Sequence, residues 1–198
     1  MCADGAGKRM VDQAREAFDG DVHILVNNAG IIRDRSFTKM NEKEWHDVVD
    51  VHLNGMFSVT HALWPYLLKQ DYGRIINTSS YSGIYGAFGQ ANYATCKMGV
   101  LGFTKTLALE GRKKNIRVNA IAPVAGTAMT ETVMPQEAVD KLSPEYVSAL
   151  VTYLAHEWCM ETGQIFEVGG GHVSKLRLQR SKGINFKDLE ELSPETLS

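Results

Sequence analysis

Four short runs of β-branched and aliphatic residues, at 22–26, 74–78, 116–121 and 164–168, are set apart by long amphipathic stretches. The runs are nearly continuous in apolar character rather than alternating, which suits strands buried on both faces, as in a parallel sheet. Helical periodicity runs over roughly 42–70, 90–112 and 144–156, and a further helix over about 7–18 precedes the first strand. Asn41 with Glu44 three residues on, and Ser143-Pro144-Glu145, mark helix starts. Strand alternating with helix leaves few topologies. The pattern predicts an α/β chain with a parallel sheet and right-handed crossovers.

At 198 residues the chain is long enough for one domain with a proper core. A formal net charge of −2 and a pI near 6.3 argue against a partner that is nucleic acid or an anionic membrane. No apolar run reaches the roughly 20 residues of a membrane helix, and Met1-Cys2-Ala3-Asp4-Gly5 has no secretory pattern. Cys2, Cys96 and Cys159 lack metal or redox spacing, which fits a reducing compartment. The histidines show no metal-binding spacing either, so no metal site is expected. The C-terminal Thr196-Leu197-Ser198 is not the Ser-Lys-Leu peroxisomal address.

The chemistry concentrates in Tyr93-Ala-Thr-Cys-Lys97. A Tyr and a Lys four apart share one helix face, where the cation can favour the phenolate and draw a group of pKa about 10 toward working pH. Ser80 ends the strand-like run at 74–80, and strand ends are where α/β proteins present reactive side chains. Ser80, Tyr93 and Lys97 read as a hydroxyl-orienting group, an acid/base and the group that tunes it.

Asn27-Asn28-Ala29-Gly30 follows the first strand. With Ser80, Tyr93-x-x-x-Lys97 and Arg117-Val118-Asn119-Ala120-Ile121-Ala122-Pro123, it gives the chain a strong resemblance to the short-chain dehydrogenase/reductase family. The likeness extends to its branch of (3R)-hydroxyacyl-CoA dehydrogenase parts of peroxisomal multifunctional enzymes. That likeness rests on Ile32-Arg33-Asp34-Arg35-Ser36-Phe37, Ser82-Gly83-Ile84-Tyr85-Gly86, Phe88-Gly89-Gln90-Ala91-Asn92-Tyr93, Leu109-Glu110-Gly111-Arg112-Lys113 and Thr132-Val133-Met134-Pro135. The resemblance implies a Rossmann-like, doubly wound parallel sheet over residues 1–172, with a basic, polar extension at 173–198. It implies Tyr93 as acid/base, Ser80 positioning the substrate oxygen, and Lys97 also holding the nicotinamide ribose. For the cofactor, NAD with NADP left open, it implies contacts from Asn28, Ala29, Gly30, Tyr93 and Lys97, from the loop Ala125, Gly126 and Thr127, and from Asp4 beside the adenine. It further implies a hydroxyacyl-CoA substrate, peroxisomal fatty acid β-oxidation, and a homodimer packed through the helix carrying the small residues Ala91, Ala94, Gly99 and Gly102. With no targeting signal read in the chain, a cytoplasmic location stays open.

Two departures from the family stand out. The helix position of its fourth catalytic residue, an Asn, holds His52 here. His52 shares an apolar stripe with Trp45, Val48, Val49, Met56, Val59 and Leu63, whereas Asn54 lies on another side of the helix. A His in such a stripe is more often a packed core residue than a catalyst, while a proton-relay role beside Lys97 stays open. The family's opening strand and Thr-Gly-x-x-x-Gly-x-Gly turn are not found; Gly5-Ala6-Gly7-Lys8 only imitates a phosphate loop. The expectation is a family member lacking its first strands and the glycine-rich turn, with a bare apolar edge on strand 22–26. Two functions follow: an NAD(P)-dependent dehydrogenase, or a shortened form impaired in cofactor binding that acts as an interaction partner.

Overall fold

A computed structural model describes residues 5–125, 137, 142–187 and 193–197. Helix α1 (Ala6–Ala17) leads into β1 (Ile24–Asn27), and α2 (Glu42–Val49), a π-helical turn (Asp50–Gly55) and α3 (Met56–Gln70) lead on to β2 (Gly73–Thr78). The short α4 (Tyr81–Tyr85) and long α5 (Ala91–Glu110) precede β3 (Ile116–Pro123). Helix α6 (Glu145–Ala155) and strands β4 (Ile165–Gly169) and β5 (His172–Leu176) follow. The sheet runs β1-β2-β3-β4-β5, parallel throughout except for β5, which pairs antiparallel with β4.

Alternation along β2 assigns the two cores. Ile75 faces Val11, Leu63, Leu67 and Ala108 of α1, α3 and α5, while Ile76 faces Leu150 and Leu154 of α6. Helices therefore cover both faces, as the strand-helix pattern predicts. The predicted strands at 22–26, 74–78, 116–121 and 164–168 correspond to β1 to β4 with ends shifted by one or two residues. The polar stretch assigned to an extension from residue 173 opens inside β5: its first residues, 173–176, hydrogen-bond to β4 as part of the sheet.

The predicted helix at 42–70 is continuous but not uniform. Asn41 and Glu44 form a reciprocal capping box at its start. The buried side chains Val48, His52, Met56 and Thr60 then recur every fourth residue. Four-residue steps drift around a regular α-helix, and the wider π turn at Asp50–Gly55 offsets that drift. Asn54 is exposed and bonds back to Asp50 at 2.7 Å, so the structure puts His52, not Asn54, on the inward face.

Gly7 is buried where α1 crosses α3, and a β-carbon there would run into Ser58. That contact accounts for one glycine of Gly5-Ala6-Gly7 by helix packing. At the outer edge, Ile24 and Val26 of β1 are 48% and 42% exposed. At the opposite end of the parallel strands, the fully buried Arg74 guanidinium donates to the carbonyls of Gly73, Asn115, His156 and Glu157. It thereby ties the start of β2 to the α6–β4 connection.

Candidate active site

The carboxyl ends of β1 and β2 meet the N-terminal half of α5. There the strands carry polar residues where the rest of the sheet is aliphatic. Asn27 donates to Thr60 at 3.0 Å and to Asn77 at 2.8 Å, and Asn77 donates to Thr104 at 2.9 Å. This chain of side-chain bonds runs from the half-buried Asn27 into the buried Asn77 and Thr104 and stiffens the floor on which the site is built.

Tyr93 is the third residue of α5. Its N–H donates to the Asn92 side chain at 2.7 Å, and the Asn92 amide donates to the carbonyls of Arg33 and Glu44. Asn92 thus fastens the start of α5 to the loop after β1 and to α2. Lys97, one helical turn on, is buried and donates from Nζ to the Thr78 carbonyl at 2.6 Å. Its ammonium lies 5.5 Å from the Tyr93 ring centroid. Ser79 Oγ donates to the Lys97 carbonyl at 2.7 Å, locking strand end to helix. Ser80 accepts from the Ser82 N–H and caps α4, and its hydroxyl favours ionisation of the Tyr93 phenol.

Burial pushes the Lys97 ammonium down to about 8. Burial also pushes the Tyr93 phenol above its ordinary value, with the Ser80 hydrogen bond pulling the other way and Asp34 adding to the rise. The sequence expectation that Lys97 draws the phenol down is corrected here. Burial dominates at Tyr93, and the Lys97 ammonium is turned onto the Thr78 dipole.

His52 is buried beside this group, its ring edge-on to Tyr93 with centroids 5.1 Å apart. Burial and the Lys97 charge push it down to about 4, so the imidazole is neutral near pH 7. A free-nitrogen acid/base role does not match its surroundings: Nε2 faces the main chain of Ile31 and Nδ1 is enclosed.

A cavity of about 360 Å³ opens between β1, α1 and the α2–α3 helix. That volume lies at the lower end of the range for small-molecule sites. Its lining combines Asn28, Ala29, Thr78, His52 and Lys97 with the apolar Met10, Leu25, Val51 and Val59.

The family model for short chain dehydrogenase matches residues 3–141. This chain belongs to the short-chain dehydrogenase family. It is 52% identical over 193 residues to the peroxisomal multifunctional enzyme type 2 of Mus musculus, covering 97% of this chain and 26% of that protein. It is 49% identical over 189 residues to the peroxisomal hydratase-dehydrogenase-epimerase of Neurospora crassa, covering 95% of this chain and 21% of that one. The chain therefore spans about a quarter or less of the length of these two relatives. The solved full-length peroxisomal multifunctional enzyme type 2 of Drosophila melanogaster superposes with a TM-score of 0.79 at 40% identity, covering 98% of this chain and 38% of that one.

Members of the short-chain dehydrogenase family use NAD(P)(H), and the residues here suit such a group. An amide, a buried ammonium and a small-residue loop share the lining of a largely apolar cavity. Of the residues read from sequence, Asn28, Ala29, His52 and Lys97 line that cavity, with Gly30 and Tyr93 against His52. Ser80 is joined to them through Tyr93, and Ala125 follows the end of β3. Asp4, Gly126 and Thr127 lie outside the described residues. No cluster of metal-ligating side chains occurs among the described residues, and none of their helices is long and apolar enough to cross a membrane. Sequence reasoning did not single out Asn77, Thr78 or Asn92. For Asn77 and Thr78 a signal was available, since they interrupt the aliphatic Ile75-Ile76 run of a strand buried on both faces.

Proposed function

We propose that this chain is an NAD(P)-dependent dehydrogenase of (3R)-hydroxyacyl-CoA thioesters, the dehydrogenase step of fatty acid β-oxidation. The observation that carries the reading is the convergence of Ser80, Tyr93 and Lys97. A phenol whose ionisation the neighbouring Ser80 hydroxyl favours stands one helical turn from a buried ammonium. The mouse and Neurospora relatives support the substrate class through their peroxisomal names.

Asn28, Ala29 and Gly30 would hold the adenosine side of the dinucleotide, and Lys97 the ribose hydroxyls next to the nicotinamide. When bound, nicotinamide supplies a two-electron acceptor for hydride. This chain's own residues manage the proton and the oxygen. Ser80 donates a hydrogen bond that orients the substrate oxygen, and Tyr93 takes the hydroxyl proton as the C–H bond breaks and the carbonyl forms. In reduction the same phenol returns the proton to the carbonyl oxygen, and its raised pKa keeps it protonated for that direction. Below about pH 8, Lys97 supplies positive charge beside the ring in a buried setting where it is weakly screened.

The outer face of α5 favours a homodimer. It exposes Met98 and Leu109 around Gly102, which has open space beside it, and Phe57 is exposed on α3. A helix apolar on all sides buries its outer face against another molecule. A peroxisomal location, shared with the named relatives, goes with this reading.

The test is oxidation of (3R)- and (3S)-hydroxybutyryl-CoA by the purified chain with NAD and with NADP. Turnover of the R isomer alone, lost in Tyr93→Phe, is the expected result. Equal turnover of both isomers, or activity surviving in Tyr93→Phe, overturns it.

A further inference from the structure

Two guanidiniums stand side by side at the amino ends of β2 and β3. Arg74 and Arg117 are register partners in the parallel ladder, so their side chains leave the same face of the sheet. Arg74 is buried and takes the carbonyls of His156 and Glu157 in the turn after α6. Arg117 has no such acceptor. Its Nε is buried with no hydrogen-bond partner, and it joins no ion pair among the described residues. A guanidinium cannot shed its proton to escape such a setting.

What Arg117 does meet is a thioether. Its Nη2 lies 4.0 Å from Sδ of Met160, a long contact to a weak acceptor. The carboxylate next to Met160, that of Glu161, is engaged by Lys175 at 2.6 Å and leaves Arg117 to the sulfur. Met160 is 70% exposed, against 58% for Met10 and 42% for Met98, so a dissolved peroxide reaches it freely. Oxidation turns an apolar methionine into a polar, chiral sulfoxide. An oxygen added on the Arg117 side converts the long contact into an N–H···O bond of about 2.9 Å, strengthened by the charge of its donor.

We propose that Met160 is a peroxide-modification site with Arg117 as its receptor: oxidation of the sulfur creates a sulfoxide that the guanidinium captures, tying the start of β3 to the turn between α6 and β4. The sulfur lone pair attacks one oxygen of hydrogen peroxide, and the S–O bond forms as the O–O bond breaks. Sulfur gives up two electrons. The second oxygen leaves, taking the proton of the transferred oxygen to depart as water. Arg117 donates to that leaving oxygen while negative charge develops on it, and afterwards to the sulfoxide. One of the two sulfoxide epimers points its oxygen at the guanidinium. The site lies at the opposite end of the strands from Tyr93 and is independent of the dehydrogenase reading.

Two measurements on the full chain test this: peptide mass mapping after graded hydrogen peroxide, and hydrogen exchange of the amides at 157–161 before and after oxidation. Met160 should oxidise at least about threefold faster than Met10, and Arg117→Leu should remove the excess. Exchange at 157–161 should slow about threefold or more when the parent chain is oxidised. It should not slow in Arg117→Leu, nor in Met160→Leu treated alike. Sulfoxide reductases act on one epimer each, and the epimer held by Arg117 should be the slower to be repaired. Oxidation of Met160 at the rate of Met10, or at an unchanged rate in Arg117→Leu, overturns the proposal. So does exchange at 157–161 that quickens on oxidation, the mark of a sulfoxide that merely disrupts its surroundings. If Arg117→Leu does not fold, Arg117→Lys takes its place, keeping the charge without the fork. Slowing in that variant equal to the parent's overturns the proposal as well.

Discussion

Lys97 donates from Nζ to the main-chain carbonyl of Thr78 at 2.6 Å, so the buried ammonium is anchored on a peptide dipole at the end of β2. The arrangement holds a cation beside Tyr93 at a cost that depends on pH. Burial lowers the folded pKa to about 8 from an ordinary value of 10.5. Between those values the unfolded chain binds a proton that the folded chain does not. Stability from this group is therefore full above about 10.5 and is lost as pH falls toward about 8. The difference amounts to on the order of 3 kcal/mol. Urea unfolding at several pH values between about 8 and 10 should show stability rising with pH, and Lys97→Met should flatten the rise. An identical slope in the variant would assign it to other groups.

Tyr93 carries the opposite shift, and its chief cause is burial, with Ser80 as the opposing hydrogen bond. Ser80→Ala removes that opposition, so the pH at which dehydrogenation reaches half its maximum should move upward. Tyr93→Phe removes only the titrating hydroxyl. Its kcat should fall by about 10²–10⁴-fold, the usual worth of general acid–base catalysis, while thermal unfolding shifts little. A loss below tenfold, or an alkaline limb unmoved by Ser80→Ala, would separate the phenol from the proton transfer.

The sheet was legible in the sequence because its strands are buried on both faces, and such strands announce themselves as short continuous apolar runs. Strand β5 was not. His172, Val173 and Lys175 are exposed at the sheet edge, so its composition follows solvent rather than core. Tyr93 and Lys97 could be placed on one helix face from spacing alone, since four residues bring side chains together on any α-helix. What spacing could not supply was the environment. Burial, not the neighbouring charge, dominates the phenol, and the partner of Lys97 is a backbone carbonyl that no side-chain motif reveals. The π turn likewise escapes periodicity, because it changes the period itself.

Arg74 offers a test of the opposite end of the sheet. Its guanidinium is buried, lies 4.3 Å from the Tyr72 ring centroid, and reaches four carbonyls at 2.9–3.3 Å. A planar fork can bridge β2, the residue before β3 and the turn after α6 together; an ammonium cannot. Arg74→Lys should therefore lose on the order of 3 kcal/mol in chemical denaturation, since buried carbonyls are left without donors. The site lies at the other ends of the strands, so kcat of the folded fraction should hold. A variant as stable as the parent would show that the carbonyls find other donors.

Ile24 and Val26 pose a surface problem at the edge of the sheet. Both are nearly half exposed on β1, which pairs only with β2 among the described residues. An apolar edge strand is a template for another strand, and proteins commonly blunt such edges with lysine. A lysine at Ile24, a position 48% exposed, can carry its ammonium into water. The parent chain should then show species larger than a dimer in sedimentation velocity, increasing with concentration. Ile24→Lys should reduce them while changing unfolding stability by no more than about 0.5 kcal/mol, as for a surface substitution. Unchanged association would place the sticky surface elsewhere, with the outer face of α5 next to be tested through Leu109→Lys. A loss of several kcal/mol would mean instead that Ile24 is covered in solution, and that β1 has a partner along its outer edge.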